Sequence, residues 1–404
     1  MADRSSGTGQ ESRRIGVILE NQIKQSLETQ LGSYQSLVKY LYDNPELGNE
    51  EFLAQAALVD ILEQEGFTVK KSVAVATDFI AVYDTGKPGP TLAYMCEYDA
   101  LPSVGHGCGH NLIAAISLGA GCALKSVADQ TGGIIQIIGT PAEENFGGKV
   151  SLAQAGVFKK VDAAMMLHPS FENGLGGRSM ALIPVRFQFH GKTAHGTSAW
   201  EGASALDGAV STYNLINQLR QFVKPCTSIH GVFTDGGKAA NVIPDFAQLD
   251  YYFRATTMAY AKEIQAKAEV SAKAAAMAAG VTVEASLYET AYDDCLMSYS
   301  LGDLLEEAMI KAGLTDIKAI DEDPKGSTDV GAVSYQCPTV QGKIKICDET
   351  VAGHSRELAD ATISPVGSEA LFKGAYALAL LGLKLLTDPQ ALTKVKAEFQ
   401  NSVK

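Results

Sequence analysis

Between Ala93 and Asn111 the chain reads AYMCEYDALPSVGHGCGHN, and carboxylates, imidazoles and a thiol crowd into its second half. A strand-like run ends in the acids Glu97 and Asp99. A loop rich in Pro and Gly then carries His106, Cys108 and His110 to the start of an apolar helix. Flanking glycines let such a loop turn Cys108 and His110 toward one ion, and a thiolate with an imidazole suits zinc or a similar borderline metal. The vicinal pair Glu143-Glu144 follows the β-branched run Ile134–Gly139 through Thr140-Pro141-Ala142. Adjacent side chains in extended geometry point to opposite sides, so one carboxylate can bind a metal while its neighbour holds an attacking water. A third strand-like run, Ala163–Leu167, ends in His168-Pro169.

Each feature has a plainer explanation. Cys108 and His110 could be a buried thiol and a core histidine, and two acids suit the first turn of a helix, where the dipole favours them. Three successive strand ends carrying metal-type residues argue against coincidence, because open α/β sheets place ligands at the carboxyl ends of strands. The chain has seven histidines, none before residue 106, and every one adjoins a Gly or Pro, so most belong at element ends. His354 sits in such a loop, Ala352-Gly353-His354-Ser355, and His190 and His195 lie within FHGKTAHGT. Arg254 ends a strand-like run and offers a guanidinium that matches a carboxylate bidentately, although a solvated strand residue would look the same.

These residues need elements to hold them. The spacing of apolar residues predicts a first helix to about Tyr42, a helix over 51–65, strands over 67–84 and 91–96, a helix over 112–128, then the runs 134–139 and 163–167. Such alternation implies an α/β domain with a mostly parallel sheet. From about Leu182 the pattern becomes strand 182–190, helix 203–222, strands 228–234 and 244–254, helix 258–279 and strand 281–288. That order, βαββαβ, is the ferredoxin-like split unit. A helix over 300–312, a strand near 316–320, the loop DPKGSTDVG and a long helix from about Pro365 resume the first style. The expected organisation is a catalytic domain of 16–181 plus 291–404 interrupted by an inserted domain of 182–290, with 1–15 a disordered tail.

Composition narrows the partners. At 404 residues and 46% hydrophobic, with net charge −13 and no sizeable basic cluster, the chain favours small molecules or proteins over nucleic acid or an anionic membrane surface. Seven widely spaced cysteines, an odd number, suggest reduced thiols and a cytoplasmic setting. The apolar segment Ala375–Leu386 carries Lys384 and is shorter than the roughly 20 residues that span a bilayer.

In order and approximate spacing, EYDALP, GHGCGHN, PAEE, LHP, GKTAHG, GGKAANVIPD, STDVG and AGHS resemble the co-catalytic zinc amidohydrolases of peptidase family M-twenty, over nearly the whole chain from about residue 34. The branch holding aminobenzoyl-glutamate hydrolases, indole-acetyl-amino-acid hydrolases and Xaa-Arg dipeptidase-like proteins is the most similar. The resemblance implies hydrolysis of the amide bond of an N-acyl or N-aminoacyl amino acid by two divalent ions, zinc or else manganese or cobalt. Cys108, His110, Glu144, His168 and His354 would be the metal ligands, and Glu143 the general base. Asp99 would orient a metal-bound histidine. It further implies that the inserted domain is a lid that builds a homodimer, with His195 reaching a neighbouring subunit's site and Asn241 and Arg254 contacting substrate. Most relatives have alanine where this chain has Gly107, and the auxin-conjugate branch has aspartate where it has Asn111. EYDALP with CGHN looks like the dipeptidase branch, so a dipeptidase or carboxypeptidase with a side-chain preference is the alternative within enzymes. A catalytically silent relative that binds conjugates is the alternative outside them.

Overall fold

The computed structural model describes residues 5–403, with side chains from Arg14 onward. Along the chain run α1 (Ser5–Asp43), α2 (Phe52–Gln64), β1 (Thr68–Lys71), β2 (Phe79–Asp84), β3 (Thr91–Cys96), α3 (His110–Thr131), β4 (Ile134–Gly139), α4 (Gly148–Gln154), β5 (Ala163–Ser170), β6 (Ala181–His190), α5 (Ala205–Leu219), β7 (Ser228–Asp235), β8 (Phe246–Ala255), α6 (Met258–Ala279), β9 (Thr282–Leu287), α7 (Tyr299–Lys311), α8 (Val330–Ser334), β10 (Thr339–Lys345), α9 (Arg356–Thr362), α10 (Pro365–Thr387) and α11 (Pro389–Ser402). Two compact units result. Among the described residues, one comprises 5–178, 296–323 and 332–403, the other Ser179–Cys295 and Pro324–Gly331.

The first unit holds a sheet of order β1-β2-β4-β3-β5-β10. β3 runs parallel to β4 and β5, β10 runs parallel to β5, and only β2 runs against the others, antiparallel to β1 and β4. β3 reads TLAYMC and buries every residue after Thr91, as a central parallel strand covered on both faces must. α3 is apolar around most of its circumference because it is enclosed, lying on β3, β4 and β5 with α1 and α10 packed against it. By length and composition α3 and α10 could each cross a membrane, but 89% and 67% of their apolar windows are buried within the fold.

The second unit has the order β6-α5-β7-β8-α6-β9 and an antiparallel sheet β7-β8-β6-β9, the ferredoxin-like arrangement. β8 buries Ala247, Leu249, Tyr251, Phe253 and Ala255 against α5 and α6 while alternate residues face outward. Thr257 caps α6 and Gly280, at φ +68°, ends it.

Several expectations differ from what the chain does. Of the expected disordered tail, residues 1–4 lie outside the described residues, but 5–15 form the first turns of α1, since Gln, Glu and Arg extend a helix at little cost. No strand forms over 316–320; Gly174 and Gly177 make only isolated bridges there, to Lys318 and Asp321. The strand after it, β10, has no counterpart in the sequence reading because Gly342 interrupts its apolar pattern. A Cβ at that position would lie 2.7 Å from both Leu167 and Leu305, so close packing requires the glycine. Pro324–Gly331 groups with the second unit, where Gly326 accepts from the Met180 N–H at 2.9 Å and the Ser327 hydroxyl accepts from Arg254 at 2.7 Å.

Candidate metal centre

β3, β4 and β5 are neighbours in parallel, with Cys96 opposite Gly139, so their carboxyl ends emerge along one rim of the sheet. β3 leads to Glu97 and Asp99, the turn after β4 presents Glu143 and Glu144, and β5 carries His168 near its end. The start of α3 adds Cys108 and His110. Gly109, in the left-handed region at φ +81°, makes that approach possible, because a Cβ there would lie 2.8 Å from Pro169 Cγ. Gly107 admits a second loop: a Cβ would stand 3.0 Å from the Ser355 carbonyl, and the His354 N–H donates to Gly107 O at 3.1 Å. Two non-glycine residues at the rim, Ala142 (φ +57°) and His354 (φ +58°), hold left-handed backbone, at a cost of about 1–3 kcal/mol each. Buried Glu51 sustains the first. It accepts from the Ala142 N–H at 2.8 Å and from the Thr77 hydroxyl at 2.7 Å.

The donor atoms of Cys108, His110 and His168 lie within 4.8 Å of one another, as do those of Cys108, Glu144 and His354, and those of His110, Glu143 and Glu144. All six residues thus share one cluster. Cys108 Sγ stands 3.5 Å from His168 Nε2, and His354 Nε2 is 3.5 Å from Glu144 Oε2. Asp99 ties the cluster from behind: Oδ1 contacts His110 Nδ1 at 2.9 Å and Oδ2 accepts the Glu144 N–H at 3.1 Å. The other face of each imidazole is therefore committed to the centre, His168 likewise resting its Nδ1 on the Pro169 carbonyl at 2.8 Å. His110 Nε2 and Glu144 Oε1 are buried without a hydrogen-bond partner, which is what ligands awaiting a cation look like. The donor set of thiol, three imidazoles and carboxylates fits a pair of divalent ions.

Electrostatics point the same way. Burial pushes the Cys108 thiol up to about 12, so only an adjacent cation makes it a thiolate at neutral pH. Burial opposes a charge on His110, but Asp99, Cys108 and Glu97 outweigh it and hold the imidazole well above its ordinary value. Asp99 and Glu97 stay below the usual carboxylate range despite burial, Asp99 chiefly through His110 and Glu97 chiefly through Lys149. His106 is buried outside the three groups and, held down to about 4 by burial, is neutral.

In the second unit His195 is exposed, contacting Thr197 Oγ1 at 2.8 Å, and its neighbour Gly196 donates to the Asn241 carbonyl at 2.8 Å, so His195 and Asn241 share one end of that sheet. Arg254 lies at the other end of β8, over the ring of Tyr252. Sequence reasoning missed Glu51, Thr77 and Lys149. Lys149 is fully buried with Nζ 2.6 Å from Glu97 Oε1; the one available signal was a lysine as the only charged residue of a short helix.

The model of Peptidase family M20/M25/M40 matches residues 93–375. The mouse (Mus musculus) Xaa-Arg dipeptidase is 33% identical over 99% of this chain and 96% of its own length. One of the p-aminobenzoyl-glutamate hydrolase subunits of Escherichia coli (strain K12) is 32% identical over 72% of this chain and 64% of its own. Among solved structures, the Bacillus subtilis YXEP protein, a dinuclear metal binding peptidase, shares the fold with TM-score 0.61 at 18% identity, covering 88% of this chain and 99% of its own. With a match from within the central strand β3 to the middle of α10, and full-length likeness to a dipeptidase, the chain belongs to Peptidase family M20/M25/M40 and is a metal-dependent hydrolase of amide bonds.

Proposed function

We propose that the protein is a zinc-dependent hydrolase, active as a cytoplasmic homodimer, that cleaves the amide bond of dipeptides or N-acyl amino acids bearing a free carboxylate. The observation that carries this reading is the convergence of Cys108, His110, Glu144, His168 and His354 with the second carboxylate Glu143 on one rim. Two divalent ions bound there would polarise the scissile carbonyl and acidify the attacking water. Glu143 accepts that water's proton and returns it to the departing amine. Glu144 is tied to Asp99 through its N–H and remains a ligand, while Asp99 fixes the His110 ring. The Arg254 guanidinium pairs with the substrate carboxylate, and His195 and Asn241 steady the carbonyl oxygen.

Dimerisation is supported by the separation of these groups within one copy. β8 runs eight residues from Phe246, at the end near His195 and Asn241, to Arg254, which at roughly 3.3 Å per residue is about 26 Å. A dipeptide is about 7 Å long. One substrate can meet both ends only if they come from two copies. The exposed apolar residues Val232 (60%) and Phe233 (41%) on edge strand β7 suit pairing across a two-fold axis. Likeness to the Xaa-Arg dipeptidase along the full chain favours dipeptides with a basic carboxyl-terminal residue.

The test is a hydrolysis screen of dipeptides and N-acyl amino acids with zinc, manganese or cobalt. Metal-dependent release of a free amino acid is expected, with Xaa-Arg and Xaa-Lys dipeptides among the better substrates. Metal-loaded protein that binds these compounds but cleaves none would instead establish a conjugate-binding relative.

A further inference from the structure

We propose that Glu97 is a sixth protein donor to the metal centre, its Oε2 meeting the same ion as His110 Nε2. The inference deepens the di-metal reading above and rests on it. Glu97, His110 and Lys149 have no exposed side-chain surface. Lys149 Nζ occupies one carboxylate oxygen, Oε1, at 2.6 Å, which turns Oε2 toward His110 Nε2 at 3.4 Å. Neither Oε2 nor Nε2 has a hydrogen-bond partner. A gap of 3.4 Å is longer than an N–H···O hydrogen bond, about 2.7–3.2 Å. It does match two ligand atoms each about 2.0–2.1 Å from a tetrahedral ion, which sit roughly 3.3–3.4 Å apart. Glu144 Oε1, also without a hydrogen-bond partner, is 3.9 Å from the same nitrogen, so three side-chain atoms from three elements converge on one point without satisfying one another.

Leaving a buried carboxylate oxygen unsatisfied is costly, and a cation between Oε2 and Nε2 removes that cost. Charge closes as well. Glu97, Asp99, Cys108, Glu143 and Glu144 bring five negative charges when deprotonated; two divalent ions supply four positive charges and Lys149 the fifth.

Two measurements test this. The first is the anomalous difference map of wild-type crystals loaded with zinc alone. Glu97 Oε2 is expected about 2.0–2.2 Å from the ion that His110 holds. An ion held by His110 and Glu144 with Oε2 more than about 3 Å away overturns the inference and leaves the di-metal reading standing, whereas no zinc in the cluster overturns both. The second uses Glu97→Gln, which preserves size and an acceptor for Lys149. In chelator competition one of two cobalt ions should bind at least about tenfold more weakly, and the visible cobalt spectrum should change. A folded variant with wild-type affinity and spectrum refutes the role; if the variant does not fold, the wild-type map decides.

Discussion

The proposed division of labour between Glu143 and Glu144 rests on what surrounds Glu144. Glu144 lies within reach of both His110 and His354, and its backbone is pinned by Asp99. We expect Glu143→Ala to lose at least about a hundredfold in turnover while keeping nearly full metal content, and Glu144→Ala to lose metal itself. Elemental analysis of the two purified variants separates these outcomes, and equal metal loss in both would sink the assignment. Cys108 is half-buried just before α3 and Cys122 is buried within it, yet only Cys108 stands among imidazoles. Cys108→Ser should yield its metal to a chelator far more readily than Cys122→Ser, and equal retention would make Cys108 a packing residue.

Among the elements, the turn after β4 is held under strain. Ala142 has φ +57°, and Glu51, at the entrance of α2, holds it from a distance of 91 residues in sequence. Burial raises the Glu51 carboxyl from its ordinary 4.5 to about 7. The folded state therefore binds this proton more tightly than the unfolded chain. Stability from this group is full below pH 4.5 and lost as pH rises through 7. Glu51→Gln can still accept from the Ala142 N–H and carries no charge. In metal-free protein its stability relative to wild type should grow between pH 5 and pH 8 by at least ~1 kcal/mol, read from denaturant melts. A difference that stays flat with pH would mean that Glu51 is neutral for another reason. Glu51→Ala should disorder the turn and lower turnover without touching a ligand.

At the scale of the molecule, the proposed sharing of a site between two copies makes a distinct demand. His195→Ala and Glu143→Ala should each be nearly inactive. Mixed under subunit exchange they should recover up to about a quarter to a half of wild-type activity, because a hybrid dimer keeps one site with both groups intact. Verified exchange without recovery, or a monomer in sedimentation at working concentration, excludes the shared site.

Local sequence decided a good deal by itself. Ile134–Gly139 is a strand with the bounds its β-branched run implies, the helix over 258–279 has the expected ends, and the loop around Cys108 and His110 carries its chemistry in its letters. These are features of short-range periodicity and of glycine placement, which a neighbouring chain segment hardly alters. Tertiary structure decided the rest. Four strand segments of the first sheet are read from the sequence, 67–84 covering both β1 and β2, but only the β4-β3-β5 adjacency brings Glu97, Glu143 and His168 to one rim. His354 joins from some 246 residues beyond Cys108 because Gly107 leaves room for its loop. Glu51 has no local signature and Lys149 only its place as the one charged residue of a short helix, since a buried charge reveals its purpose only through the group it faces, and that partner is chosen by the packing of distant elements.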